Sequence, residues 1–159
     1  MRVLGIDPGY DRVGVAVMEY ENGAEKLIYS ACIMTDKADE LNLRLQIVGN
    51  SITTLIKEHS VDTLGIETLF FNKNVTTAMG VAQARGIIIY TAMQEGCVVH
   101  EFSPQAIKIA TTGYGNSDKV AITAMVKQLI PDVPVDALDD EYDAIAVGIT
   151  CLAHFGRNV

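Results

Sequence analysis

Four acids stand where acids are seldom found. Asp7 closes the apolar run Val3-Leu4-Gly5-Ile6, just ahead of Pro8-Gly9. Glu67 follows Leu64-Gly65-Ile66 in the same manner, and Asp140 and Asp143 lie three residues apart near the C-terminus. Burying an unpaired charge inside a strand costs several kcal/mol. The cost falls at strand ends, where α/β sheets build their sites. A spacing of three on a helix puts two Cβ atoms about 5–6 Å apart on one face. Plainer accounts exist for three of the four: Asp140 as a helix N-cap, Asp143 as a charge favouring the helix N-terminus, Asp7 as an Asx-turn residue. None of them requires the acids to meet. Chemistry does, because packed carboxylates take up protons unless a cation neutralises them. Hard oxygen ligands suit Mg²⁺, with Mn²⁺ able to substitute. Two such ions about 3.5–4 Å apart activate a water and stabilise the leaving oxygen in phosphodiester cleavage. That chemistry needs no Ser, Cys or His nucleophile. His59, His100 and His154 are scattered and lack ligand spacing, so they are expected to be structural or surface residues. Cys32, Cys97 and Cys151 form no CxxC and sit in apolar company, which predicts buried, reduced thiols.

The elements that must hold these acids follow from periodicity. Residues 2–7 and 12–20 read as strands, the second with Val13, Val15 and Val17 on one face. Glu21-Asn22-Gly23 is a hairpin turn, and residues 26–34 form a third strand. Leu41, Leu45, Val48, Ile52 and Leu55 then recur at helical spacing. Residues 61–67 read as a strand, 70–74 as a loop, 76–95 as a helix and 97–102 as a strand. Ser103-Pro104 opens a short helix with a good N-cap. A glycine-containing loop at 111–116 precedes a helix over 117–130, and Asp139 or Asp140 opens the last helix, to about Phe155. The order β-β-β-α-β-α-β-α-α-α predicts an α/β fold. It has a mixed five-stranded sheet, an antiparallel meander plus parallel strands, flanked by helices. We expect one domain over residues 1–159, since no repeat, linker or low-complexity segment interrupts the chain.

Bulk properties limit the functional classes. Nearly half the residues are apolar and a fifth are charged, a globular composition. The apolar stretch over 144–155 is too short to span a bilayer, and the charged N-terminal strand does not suit a signal peptide. The expectation is a soluble, cytoplasmic protein without a membrane partner. The net charge of -8 runs against nucleic-acid binding when taken alone. Bound divalent cations would offset part of it, and only the local field meets a phosphate.

Taken in order, Leu4-Gly5-Ile6-Asp7-Pro8-Gly9, Ile66-Glu67 with Phe70 and Lys73-Asn74, Gln83-Ala84-Arg85-Gly86, and Asp140-Glu141-Tyr142-Asp143-Ala144 resemble the RuvC family of Holliday-junction resolvases. The resemblance covers nearly the whole chain. It implies an RNase H-like fold, a homodimer with two active sites, and Mg²⁺-dependent paired nicking of four-way junction DNA that leaves 5′-phosphates. It implies a place in recombination and repair beside the branch-migration proteins of that pathway. Asp7, Glu67, Asp140 and Asp143 fall on the family's catalytic acids, Phe70 on an aromatic that stacks near the junction centre, and Lys108 and Lys119 on basic residues that approach the backbone.

The residues add their own support. Phe70-Phe71 is an odd pair in a short polar loop: one suits the core, and the other can stack on an unpaired base. Lys73, Arg85, Lys108 and Lys119 are four of only twelve basic residues and are candidate DNA contacts. The two glycines of the 111–116 loop can let backbone N–H groups near a phosphate. Gly80 and Gly86 weaken their helix, and close packing against a second copy is a use for them. With so few lysines, DNA affinity is expected to be modest and steeply salt-sensitive. Three rivals are weighed against this reading. A sugar-kinase-like or actin-like ATPase would share Asp7, Gly9 and Gly14 but needs far more chain. The others are an RNase H-like nuclease acting on RNA or hybrid, and a branched-DNA binding module that does not cleave.

Overall fold

The computed structural model describes residues 1–69 and 75–156, with the side chains of residues 75 and 76 excepted. Ten elements follow the expected order: β1 (Arg2–Asp7), β2 (Arg12–Glu21), β3 (Ala24–Met34), α1 (Leu41–His59), β4 (Thr63–Glu67), α2 (Val75–Gln94), β5 (Val98–Phe102), α3 (Pro104–Thr112), α4 (Lys119–Leu129) and α5 (Asp139–Phe155). They form one five-stranded sheet in the order β3-β2-β1-β4-β5. The β1–β2 and β2–β3 pairs are antiparallel, whereas β1–β4 and β4–β5 are parallel. The meander and the crossover units expected from the sequence are therefore both present. Asn22 and Gly23 take the positive φ values that their hairpin turn requires.

Alternation along the strands divides the core into two layers. Leu4, Ile6, Val13, Val15, Val17, Leu64 and Ile66 face α1 and α2, where they meet Val48, Ile52, Leu55 and Ile88. Val3, Ala16 and Met18 face the other way, against Ile145, Val147, Ile149 and Leu152 of α5 and Ile122 and Val126 of α4. Asp7 is in phase with Val3 and so belongs to the α5 layer. Two glycines let α5 lie directly on the strands. A Cβ at Gly5 would run into the Ala144 carbonyl and Gly148, and one at Gly14 into the Asp140 carbonyl.

The departures from expectation have local causes. The loop placed at 111–116 begins later, because α3 continues to Thr112 and ends on Gly113 in the left-handed region. On α1 the apolar stripe does not begin at Leu41, which is exposed; the buried place in that turn belongs to Arg44. Gly80 faces the Tyr10 ring of its own chain, where a Cβ would come within 2.7 Å. Only Gly86 of the two helix glycines opens to solvent, which corrects half of the helix-packing expectation. Cys97 and Cys151 are buried free thiols, but Cys32 is half-buried in polar company beside Asp140. The histidines are structural as expected: His100 stacks on Phe155 at 3.8 Å between centroids, and His154 contacts the Thr150 carbonyl at 2.8 Å.

Candidate active site

Register brings the acids together. Ile6 pairs with Ile66 across the parallel β1–β4 ladder, so Asp7 and Glu67 follow it at adjacent carboxyl ends of the sheet. Asp7 lies opposite Gly14 on its other side, and the backbone of Asp140 rests on that glycine. The first turn of α5 thus crosses the strand ends and hangs Asp140 and Asp143 over them. Its N-cap is Leu138, whose N–H donates to the Glu141 carboxylate at 3.1 Å. Glu141 is itself buried and accepts from Ser30 Oγ at 2.9 Å. Asp140 is therefore not the cap, and its side chain is free of that duty.

The electrostatics show that the four acids share one field. Burial pushes the Asp7 carboxyl up to about 7, and the charges of Asp143, Glu67 and Asp140 add to the push, while Lys119 opposes it. Glu67 is raised by burial and by Asp143, against the pull of Lys108 and Lys119. Two cations occupy the outer acids. Arg12 makes a short ion pair with Asp140, and Lys119 Nζ lies 2.8 Å from Asp143 and 3.8 Å from Asp139. Among the described residues no three acid, imidazole or thiol groups form a ready cage for a metal ion. The donor set nonetheless fits a hard divalent cation in type and in charge: all four are carboxylates, and burial, with the charges of the other three acids added to it, pushes Asp7 up to about 7. Both pairs are made through Oδ2 of the acid, and a carboxylate has acceptor capacity for a cation besides.

Lys108 stands at the opposite lip. Together with Glu67 and Asp143 it rims a hollow of about 160 Å³, floored by Pro104, Ile107, Ile122 and Ala146. Arg85 lies behind the site. Its Nε donates to the Glu67 carbonyl at 3.0 Å, and its guanidinium makes a short pair with Glu101. Phe70, Phe71 and Lys73 lie outside the described residues. Sequence reasoning missed Arg12, which bonds Asp140 from the start of β2, and Arg44, whose signal was a charge on the apolar face of α1.

Residues 3–151 match the family described as Crossover junction endodeoxyribonuclease RuvC. A curated relative of that name from Clostridioides difficile is 40% identical over 157 residues, covering 99% of this chain and 92% of its own length. Another, from Thermosipho melanesiensis, is 41% identical over 153 residues, covering 96% and 97%. The solved structure of Thermus thermophilus RuvC superposes with a TM-score of 0.88 at 23% identity, over 98% of this chain and 97% of that one. A second structure of that protein, in complex with a Holliday junction substrate, gives 0.87 at 22% identity, over 94% of this chain and 92% of that one. These likenesses show the fold, an RNase H-like mixed sheet.

Proposed function

Because the chain belongs to the RuvC family of crossover junction endodeoxyribonucleases, we propose that it resolves four-way DNA junctions by paired nicks that leave 5′-phosphates, with Asp7, Glu67, Asp140 and Asp143 as ligands of two Mg²⁺ ions. One observation carries this reading: α5 lays its acidic first turn across the carboxyl ends of β1 and β4, so that four carboxylates act on one point. Divalent ions held by these four acids would lower the pKa of a water enough for it to act as nucleophile on a phosphodiester at neutral pH, and would give positive charge to the leaving oxygen.

The chain's own residues do the rest. The strand ends hold Asp7 and Glu67, and the helix supplies Asp140 and Asp143 from above. Lys108 and Lys119 flank the acids and are placed to meet phosphates as they approach. Lys119 would exchange Asp143 for a phosphate, which frees that carboxylate for a cation. Phe70 or Phe71, with Lys73, would engage the strands near the junction centre. Paired nicking requires two sites, and the assembly is a homodimer. Its support is α2, where Met79, Tyr90 and Met93 are exposed on the same side as the open Gly86. The enzyme would act in the cytoplasm, beside the branch-migration proteins of its pathway.

The test uses labelled synthetic four-way junction, matched duplex and RNA–DNA hybrid, with Mg²⁺ or EDTA, for wild type and Asp7→Asn. The expected result is Mg²⁺-dependent paired nicks confined to the junction. Asp7→Asn should bind the junction but leave it whole. Binding without cleavage by wild type would favour a binding module, and cleavage of the hybrid alone would overturn the substrate.

A further inference from the structure

Arg44 is the one buried lysine or arginine among the described residues. A guanidinium removed from water must be matched by partners, or its burial costs several kcal/mol. Its partners all belong to one small region. It makes a short ion pair with Asp11, donates from Nη2 to the Tyr10 carbonyl at 3.2 Å, and donates from Nε to Thr35 Oγ1 at 2.9 Å. Its Cζ lies 4.9 Å from the centre of the Tyr10 ring. Thr35 closes the knot, its hydroxyl donating to the Tyr10 carbonyl and its N–H to the Asp11 carbonyl at 3.1 Å. The Tyr10 ring also lies against Gly80 of α2.

The region so held is the turn between β1 and β2. Asp7 is the last residue of β1, and Arg12, which bonds Asp140, is the first of β2. Helix α1 is already seated on the sheet by Val48, Ile52, Leu55 and Ile56. The polar partners of Arg44 lie elsewhere, in the turn that spaces Asp7 from Arg12 and at Thr35, just after β3. We infer that Arg44, with Asp11 and Tyr10, is a positioning residue: it fixes the β1–β2 turn from behind and so holds the Asp7 carboxylate in register with the acids of α5. It touches neither substrate nor ion. The inference rests on the metal-nuclease reading above.

A displacement of about 1 Å at a reacting group can lower a rate about a hundredfold. The experiment compares wild type, Arg44→Lys, Asp11→Asn and the core control Ile52→Val, each at conditions where it is fully folded by circular dichroism. Three quantities are read: the single-turnover cleavage rate at saturating junction, the junction Kd in EDTA, and Mn²⁺ affinity of the DNA-free protein by electron paramagnetic resonance. Arg44→Lys keeps the charge but loses the fork. It should cut the rate about 10- to 100-fold and weaken Mn²⁺ binding about fivefold, with the junction Kd within about twofold of wild type. Asp11→Asn should move both quantities the same way by less, and folded Ile52→Val should move neither. Wild-type rate and Mn²⁺ affinity in Arg44→Lys would overturn the inference while leaving the nuclease reading intact. So would an equal loss in Ile52→Val, which would make the effect one of stability. A wild type that binds Mn²⁺ but never cleaves the junction would overturn the nuclease reading, and the Mn²⁺ comparison would then decide the positioning role alone.

Discussion

Asp7 is the residue on which function and stability disagree. In the unfolded chain its carboxyl titrates near 3.8; in the fold it is pushed up to about 7 by burial and three neighbouring acids. Below pH 3.8 it is neutral in both states and the difference vanishes. Between 3.8 and 7 the unfolded chain releases a proton that the fold retains, so rising pH favours unfolding. Above 7 the full destabilisation is present. At about 1.4 kcal/mol per tenfold, discounted for solvent at the sheet end, it amounts to something on the order of 3 kcal/mol. Metal-free Asp7→Asn should therefore be more stable than wild type by about that much at pH 8 and gain nothing near pH 3.5. Urea unfolding in EDTA at the two values checks this; an equal gain at both would show that the acid is not strained. Lys108 and Lys119 belong to the same scale. Replacing either by Ala should weaken junction binding and lower the slope of log K against log salt by about one, if each neutralises one phosphate. Titrations at several salt concentrations measure the slope, and an unchanged slope would place that lysine away from the DNA.

At the scale of elements, the site is a crossing of α5 over three strands. The close approach depends on Gly14, where any side chain meets the Asp140 carbonyl rather than a movable group. Gly14→Ala should lift the first turn of α5. We expect a loss of roughly 1–3 kcal/mol from overpacking and a far larger proportional loss of cleavage. Thermal melts set beside single-turnover rates would show it; a variant that melts early yet cleaves at the wild-type rate would separate the helix crossing from the chemistry. Arg85 ties α2 to the end of β4 through the Glu67 carbonyl. The strand end that carries Glu67 is thus held by an arginine from α2, as the turn after Asp7 is held by one from α1.

At the scale of the whole molecule, net charge and assembly matter together. A chain with a charge of -8 must gather its positive potential locally, and Lys108 and Lys119 are the cations whose charge reaches Glu67. The proposed dimer would double that local footing and supply the second nick. Tyr90 is 65% exposed on α2, between exposed Met79 and Met93. Tyr90→Asp should convert the protein to a monomer in sedimentation at micromolar concentration and replace paired incisions by single, uncoupled ones. A Tyr90→Asp protein that still sediments as a dimer would remove α2 from the interface.

By itself the sequence determined the order and kind of every element and the five-stranded mixed sheet, and it singled out the four acids that the fold brings together. Each is written locally, in period, in turn residues, and in charges placed at the ends of apolar runs. The lysines of α3 and α4 were also legible as rare cations in an acidic chain. Only the tertiary structure decided which cation meets which acid. Arg12, Lys119 and Arg44 act on Asp140, Asp143 and Asp11, which are 24 to 128 positions away in sequence, and no local period encodes such a pairing. It likewise decided that Gly80 serves Tyr10 rather than a second helix, and that Cys32 lies beside Asp140 rather than in the core. Burial and charge are properties of the assembled neighbourhood, and the neighbourhood exists only once the sheet has closed under α5.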